Sequence, residues 1–330
     1  MPRARASRRS RLRNSRRVKA RSPSVPADLA ESWIVAGADD LPLRVYGWRS
    51  NRGGRPGILW GHANGFAAGA YAPLLAALAA DYDVYAADLR AHGGSADPGG
   101  GYDRAITADR LALDLIAVTA SIRRRAPNWP LHFAAHSISG LGALRMGGVF
   151  GLSPYASLTL FEPPLAPTPD VPLHAGAATL GAILADRALK RRRDLPAPGA
   201  FAAALAERPA FARWRPDMLH AFAAATLAPA EDGDGWRLCC PPEAEAAGYR
   251  ATMDASTFAS LAGFDRPILF VESDPEMDGV APSWATKAQG VAARRAPKGR
   301  LARIPETSHM MPFERPDAVL QIIRREVANS

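Results

Sequence analysis

From Ser32 to Val327, short apolar runs alternate with helix-length amphipathic patterns, and that alternation leaves few architectures open. The runs read as strands at Ser32–Ala36, Leu43–Trp48, Gly57–Gly61, Val84–Ala87, Leu131–Ala135, Ser157–Phe161, Pro267–Val271 and Leu301–Ile304. Asp39 and Asp40 separate the first two and mark a hairpin. The later runs are continuously apolar, as strands covered on both faces should be. Between them the spacing predicts helices over Tyr71–Ala80, Asp109–Arg124, Ile138–Phe150, Pro282–Ala293 and Pro316–Val327. Such a β/α succession predicts an α/β fold, a mostly parallel central sheet flanked by helices.

One stretch interrupts the alternation. Between about Leu165 and Ala259 the chain shows Ala-rich helical patterns at Ala175–Lys190, Ala200–Glu207, Asp217–Leu227 and Glu243–Thr257, and no convincing strand. An insertion of this size between two sheet strands is most simply a helical cap over one sheet edge. The expected organisation is therefore a tail at 1–27, a core at 28–164 and 260–330, and a cap at 165–259.

The tail explains the charge. The 330-residue chain carries a formal +9, yet residues 1–27 hold ten basic groups and no acid. Without them 31 basic residues face 32 acidic ones, so the folded part is close to neutral. With almost no large apolar residues beyond Leu12, Val18 and Val25, the tail cannot bury enough surface to offset its ordering entropy and should be disordered. No apolar segment follows the arginines as an export signal requires, so a cytoplasmic location is expected. Polyanion binding by the flexible tail is physically reasonable, but no nucleic-acid partner is required by the rest of the chain. No run approaches the ~20 apolar residues of a membrane span. Adjacent Cys239 and Cys240 cannot staple a secreted scaffold and read as buried cap residues.

Chemistry concentrates around Ala135-His136-Ser137-Ile138-Ser139-Gly140, where an apolar run meets a Gly-dotted helix. A serine on a sharp strand-to-helix turn has its hydroxyl pushed clear of the sheet, and small flanking residues relieve the crowding. Ala135 and Ser139 stand where the G-x-S-x-G pattern has glycine; both are small, so the steric logic survives. Upstream, Trp60-Gly61-His62-Ala63-Asn64-Gly65-Phe66 follows a buried strand with a turn able to present a backbone N–H beside that serine. The same residues also satisfy an ordinary Asn-Gly turn. Asp88 to Ser95, after the next strand, reads as a structural turn and charge network.

Taken together these segments resemble the α/β-hydrolase superfamily, from about Ser32 to Val327. Four of its motifs occur in order: an HG-x-x-G-like turn at His62–Phe66, a D-x-R-G-x-G-x-S-like turn at Asp88–Ser95, the elbow at Ser137, and a late histidine at His309. The His-Ala-Asn-Gly-Phe run is similar to a subgroup of bacterial and fungal hydrolases. Departures are Ala63, Ala91, Ala135 and Ser139, each in place of glycine.

The resemblance implies a Ser-His-acid triad. A serine hydroxyl needs an adjacent base, and His309, in a loop after the last strand, occupies the family's place for it. Asp274, just past Pro267–Val271, is the expected acid in the chain order Ser, Asp, His. Glu272 and Asp278 lie nearby, and Glu162 at the end of the preceding strand is the serious competitor. Oxyanion donors would be the N–H groups of Asn64 and Ile138, the latter aided by its helix dipole. Phe66 and Met310 are candidate substrate-binding residues.

A serine at 137 argues against the carboxylate nucleophile of dehalogenases and epoxide hydrolases that share the fold. Gly140-Leu141-Gly142 lacks the third glycine of a dinucleotide fingerprint, and neither a phosphate-binding G-x-x-x-x-G-K-[ST] loop nor an H-E-x-x-H helix occurs. The expectation is a cofactor-free, metal-free serine hydrolase acting on a small carboxylic ester or related acyl substrate. An acyltransferase or carbon–carbon bond hydrolase with the same triad, or a non-catalytic ligand-binding relative, remains open.

Overall fold

The structure is a computed structural model, and it describes residues 29–48, 54–127, 129–230, 235–274 and 284–330. The basic tail, Asp278 and the expected helix start at Pro282 lie outside the described residues.

Eight strands form one sheet: β1 (Glu31–Ala36), β2 (Pro42–Trp48), β3 (Gly57–Gly61), β4 (Asp83–Ala87), β5 (Leu131–His136), β6 (Leu158–Phe161), and, beyond the insertion, β10 (Ile268–Glu272) and β11 (Gly299–Arg303). Their order is β1-β2-β4-β3-β5-β6-β10-β11. β2 pairs antiparallel with β1 and β4, and every other pairing is parallel. Helices α1 (Ala72–Ala79), α2 (Tyr102–Ala105), α3 (Ala108–Arg125) and α4 (Ile138–Gly148) come before the insertion. After it follow α10 (Trp284–Arg295), α11 (Met311–Glu314) and α12 (Pro316–Ala328). This is the α/β-hydrolase fold expected from the sequence.

Alternate residues of one strand serve opposite cores, because side chains on a strand point to opposite faces. Trp60, Val271 and Leu269 pack with Leu75 of α1 and Ile323 of α12. Leu59, Phe270 and Ile268 pack with Ile122 of α3, Leu144 of α4 and Ala292 of α10. Two apolar faces explain why the strand sequences look continuously apolar.

Between β6 and β10 lie α5 (His174–Leu189), α6 (Pro198–Ala206), α7 (Pro216–Thr226), α8 (Pro242–Ala251) and α9 (Ala255–Ser260). The helix expected at Glu243–Thr257 is broken by a turn, and the Asp254 side chain restarts it by accepting the Ser256 N–H. Three short strands, β7 (Asp194–Leu195), β8 (Leu227–Pro229) and β9 (Trp236–Leu238), form an antiparallel sheet in the order β7-β9-β8. Strands of two or three residues are too short to display a period, so sequence patterning could not expose them. The insertion shares the core of the main sheet: Trp214, Met218 and Phe222 join the same cluster as Trp60 and Tyr71.

Candidate active site

The loops leaving β3, β4, β5, β6 and β10 all emerge at the carboxyl edge of the sheet, where ligands of open α/β folds bind. Ser137 follows β5 directly and has φ 59° and ψ −128°, a left-handed-side conformation that is strained for any residue with a Cβ. The bend turns a strand into α4 within one residue. It is held by Ser137 N–H donating to Phe161 O (3.0 Å) and by Gly140 N–H donating to Ser137 O (2.9 Å). Only 8% of Ser137 is exposed, so it is largely shielded from open surface.

The substitution of Ser139 for glycine has a visible consequence. Its hydroxyl donates to the carbonyl of His62 at 2.7 Å, tying the elbow to the turn after β3. Gly61 makes this approach possible: a Cβ there would collide with the Ser139 side chain. Ile138 opens α4, and the first N–H groups of a helix have no intrahelical acceptor. In the β3 turn, Ala63 N–H donates to Tyr71 Oη (3.2 Å) and Gly65 N–H to His92 Nε2 (3.0 Å), so Asn64 is held from both sides. The Asn64 side chain turns away toward the insertion and donates to Glu245 O at 2.7 Å. Glu245 itself is paired with Arg191.

His309 meets a carboxylate, and the partner is Glu162: Nδ1 to Oε2 is 2.9 Å. This corrects the expectation of Asp274 at that bond. The reason is strand register. His136 pairs with Phe161 across β5 and β6, so the residues that follow, Ser137 and Glu162, leave adjacent strands at the same level. Asp274 comes two residues past the end of β10, one strand further out, and there Oδ2 accepts the Glu306 N–H at 3.3 Å. Glu272 is engaged by Arg303 at 2.6 Å.

Glu162 is almost fully buried and has φ 45°. Burial pushes its carboxyl up, but bonds to His309 and Ser273 outweigh that and hold it below the ordinary carboxylate range. Oε1 accepts the Ser273 N–H (2.7 Å), the Ser273 hydroxyl (2.5 Å) and the Thr286 hydroxyl (2.9 Å). Oε2 is thereby left for the imidazole. Sequence reading did not single out Ser273 or Thr286; a hydroxyl carries no signal until the fold aims it.

Glu314 fixes the residue before the histidine, its Oε2 accepting the Ser308 N–H (2.8 Å) and its Oε1 the Ser308 hydroxyl (2.8 Å). Arg213, from the insertion, also reaches Glu314 Oε1 at 2.9 Å. Above the elbow lies an aromatic cluster. Phe66 is 4.7 Å from Phe222, 5.3 Å from Phe313 and edge-on to His136 at 6.3 Å between ring centroids. Trp214 stacks on Phe313 at 4.3 Å. Phe66 and Met310 are both half-buried against this cluster.

The Asp88 turn is structural, as its sequence implied. Asp88 accepts from Ala68 N–H, Tyr46 Oη and Gly94 N–H, and Arg90 makes a bidentate pair with Asp114. His62 and His92 are buried here with their tautomers set by backbone partners. Cys239 and Cys240 are buried and are not joined in a disulfide. No helix among the described residues is long and apolar enough to cross a membrane.

A mostly parallel sheet with a strained serine elbow and a buried carboxylate–histidine pair at its carboxyl edge defines a hydrolase-type site. The alpha/beta hydrolase family model matches residues 53–322, most of the chain, and the protein belongs to that family. Among solved structures it is similar to an E-2-(acetamidomethylene)succinate hydrolase, with a TM-score of 0.69 and 20% identity over 89% of this chain and 98% of that one. A thermophilic esterase from Thermogutta terrifontis has a TM-score of 0.63 and 20% identity over 91% and 99% of the two chains. The enol-lactonase from Burkholderia xenovorans has a TM-score of 0.61 and 20% identity over 90% and 100%. At this identity the likeness shows the fold. No curated protein matches the sequence.

Proposed function

We propose that the protein is a serine hydrolase that cleaves a carboxylic ester or related acyl bond through a covalent acyl-enzyme. Ser137 attacks the acyl carbon while His309 Nε2 takes its proton. Glu162 holds the ring in the tautomer with Nδ1–H and stabilises the imidazolium as it forms. The N–H groups of Asn64 and Ile138 receive the developing oxyanion, each worth about 3 kcal/mol of barrier. His309 returns its proton to the leaving alcohol, water enters, and the same groups act in reverse order to release the acid.

One observation carries this reading: the 2.9 Å bond between His309 Nδ1 and a buried, ionised Glu162, on the loop beside the strained Ser137 elbow. A buried carboxylate bonded to an imidazole needs a purpose, and orienting a base is the one this geometry serves. In this reading the inserted segment acts as a cap, and its Trp214 and Phe222, packed in one apolar cluster with Phe66 and Met310, would supply the apolar lining of the reacting centre. An apolar or aromatic moiety on the acyl or alcohol side fits that lining.

Labelling the full chain with a fluorophosphonate, followed by peptide mapping, tests the nucleophile. Modification should fall on Ser137 and disappear in Ser137→Ala. An unlabelled parent chain would reject a catalytic serine. Turnover of p-nitrophenyl esters with and without added alcohol or thiol acceptors then separates hydrolysis from acyl transfer.

A further inference from the structure

We infer that His136, the residue before the nucleophile, is a positioning residue that spaces the base loop from the oxyanion turn. The inference rests on the serine-hydrolase reading above.

Two bonds set its tautomer. His136 Nε2 is 2.8 Å from the carbonyl oxygen of His309, which can only accept, so Nε2 carries the hydrogen. Nδ1 is then an acceptor, and the Tyr71 hydroxyl at 2.7 Å donates to it. Tyr71 Oη in turn accepts the Ala63 N–H at 3.2 Å. The result is one directed chain, Ala63 N–H to Tyr71 O–H to His136 to the His309 carbonyl. It joins the turn bearing the Asn64 N–H, the strand end bearing Ser137 and the loop bearing His309.

The chain is dry and one-directional. His136 and Tyr71 are fully buried, and burial holds the imidazole neutral, far below its ordinary titration range. Each group therefore has a single hydrogen-bonding state, which is what a rigid spacer requires. The two histidine rings lie 4.8 Å apart, so the bond to the backbone of residue 309 places that ring relative to its neighbour. Catalysis is sensitive to such spacing, because a displacement of about 1 Å at the reacting groups costs about a hundredfold in rate. None of these groups needs to touch substrate.

The test compares His136→Leu, His136→Gln and Tyr71→Phe in the full chain. Read-outs are kcat and KM on a p-nitrophenyl ester, the rate of fluorophosphonate labelling, and thermal melting. His136→Leu should lower kcat and the labelling rate by about thirty- to a hundredfold with KM within about twofold. His136→Gln keeps an N–H donor for the His309 carbonyl and should recover most of that loss. Tyr71→Phe, nearly isosteric, should lower kcat by about tenfold while melting as a folded protein. The inference is overturned if folded His136→Leu or Tyr71→Phe turns over at the parent rate. It also fails if the glutamine variant is as slow as the leucine one, or if the losses lie in KM. A parent chain that does not label at all would instead sink the serine-hydrolase reading.

Discussion

Ser137 and Glu162 leave neighbouring parallel strands at the same register level, one residue past the paired His136 and Phe161. That level is what brings the carboxylate under His309. Glu162→Gln should therefore lower kcat by about a thousandfold to ten-thousandfold, because the amide can present its NH2 to Nδ1 and stabilise the wrong tautomer. Asp274→Asn should cost no more than about threefold. Steady-state kinetics of the two variants side by side decide the assignment, and the reverse ranking would return the acid to Asp274.

Ser308 is held twice by Glu314, on its N–H and on its hydroxyl. Glu314→Ala releases both and should reduce kcat by about tenfold through a looser base loop. Arg213→Ala removes only the half-exposed outer partner of that carboxylate and should stay within a few-fold of the parent. Equal losses from the two substitutions would show that the bond from Arg213 of the inserted segment to Glu314, rather than the hold on Ser308, is what matters.

Stability should fall as the solution is acidified below about pH 6.5. Burial lowers His62 to about 4 and His92 to about 3, whereas in an unfolded chain both titrate near 6.5. Between those values the unfolded state binds more protons, so stability rises with pH across the window. Glu162 acts in the same direction at lower pH: its folded carboxyl lies below the ordinary range, and its contribution is lost as pH falls through that value. In His92→Gln the amide oxygen can still accept the Gly65 N–H without titrating. Its melting temperature should decline less between pH 6.5 and 4.5 than that of the parent, and parallel curves would refute the assignment.

Phe66 is the aromatic residue of the β3 turn that packs on both Phe222 of the inserted segment and His136 beside the elbow. Phe66→Ala should raise KM more for a butyrate or phenylacetate ester than for acetate, since each buried methylene contributes about 0.8 kcal/mol. A uniform change across the series would mean the ring serves packing alone.

The centre of the sheet was legible in the sequence because burial on two faces leaves a continuous apolar run, as in β3, β5, β6 and β10, whereas the edge strands β1 and β11 are largely exposed and carry mixed patterns. Ser137 and His309 could be singled out as candidates from local signatures, the first at a strand-to-helix turn and the second in the loop between β11 and α11. Glu162 was visible only as a competitor. Chain order is satisfied by either acid, and the choice between them depends on which strand lies next to β5.

What the sequence determined by itself was therefore local: periodicity, turn chemistry, and the candidates for nucleophile and base. What tertiary structure alone decided was pairing across the sheet. It put Glu162 rather than Asp274 at His309 Nδ1 and aimed Ser273 and Thr286 at one oxygen of Glu162. It also ran a hydrogen-bond chain from Ala63 through Tyr71 and His136 to His309. These partners lie far apart along the chain, and a hydroxyl or carboxylate has no periodic signature of its own. Only the register of packed strands gives such a group its neighbour.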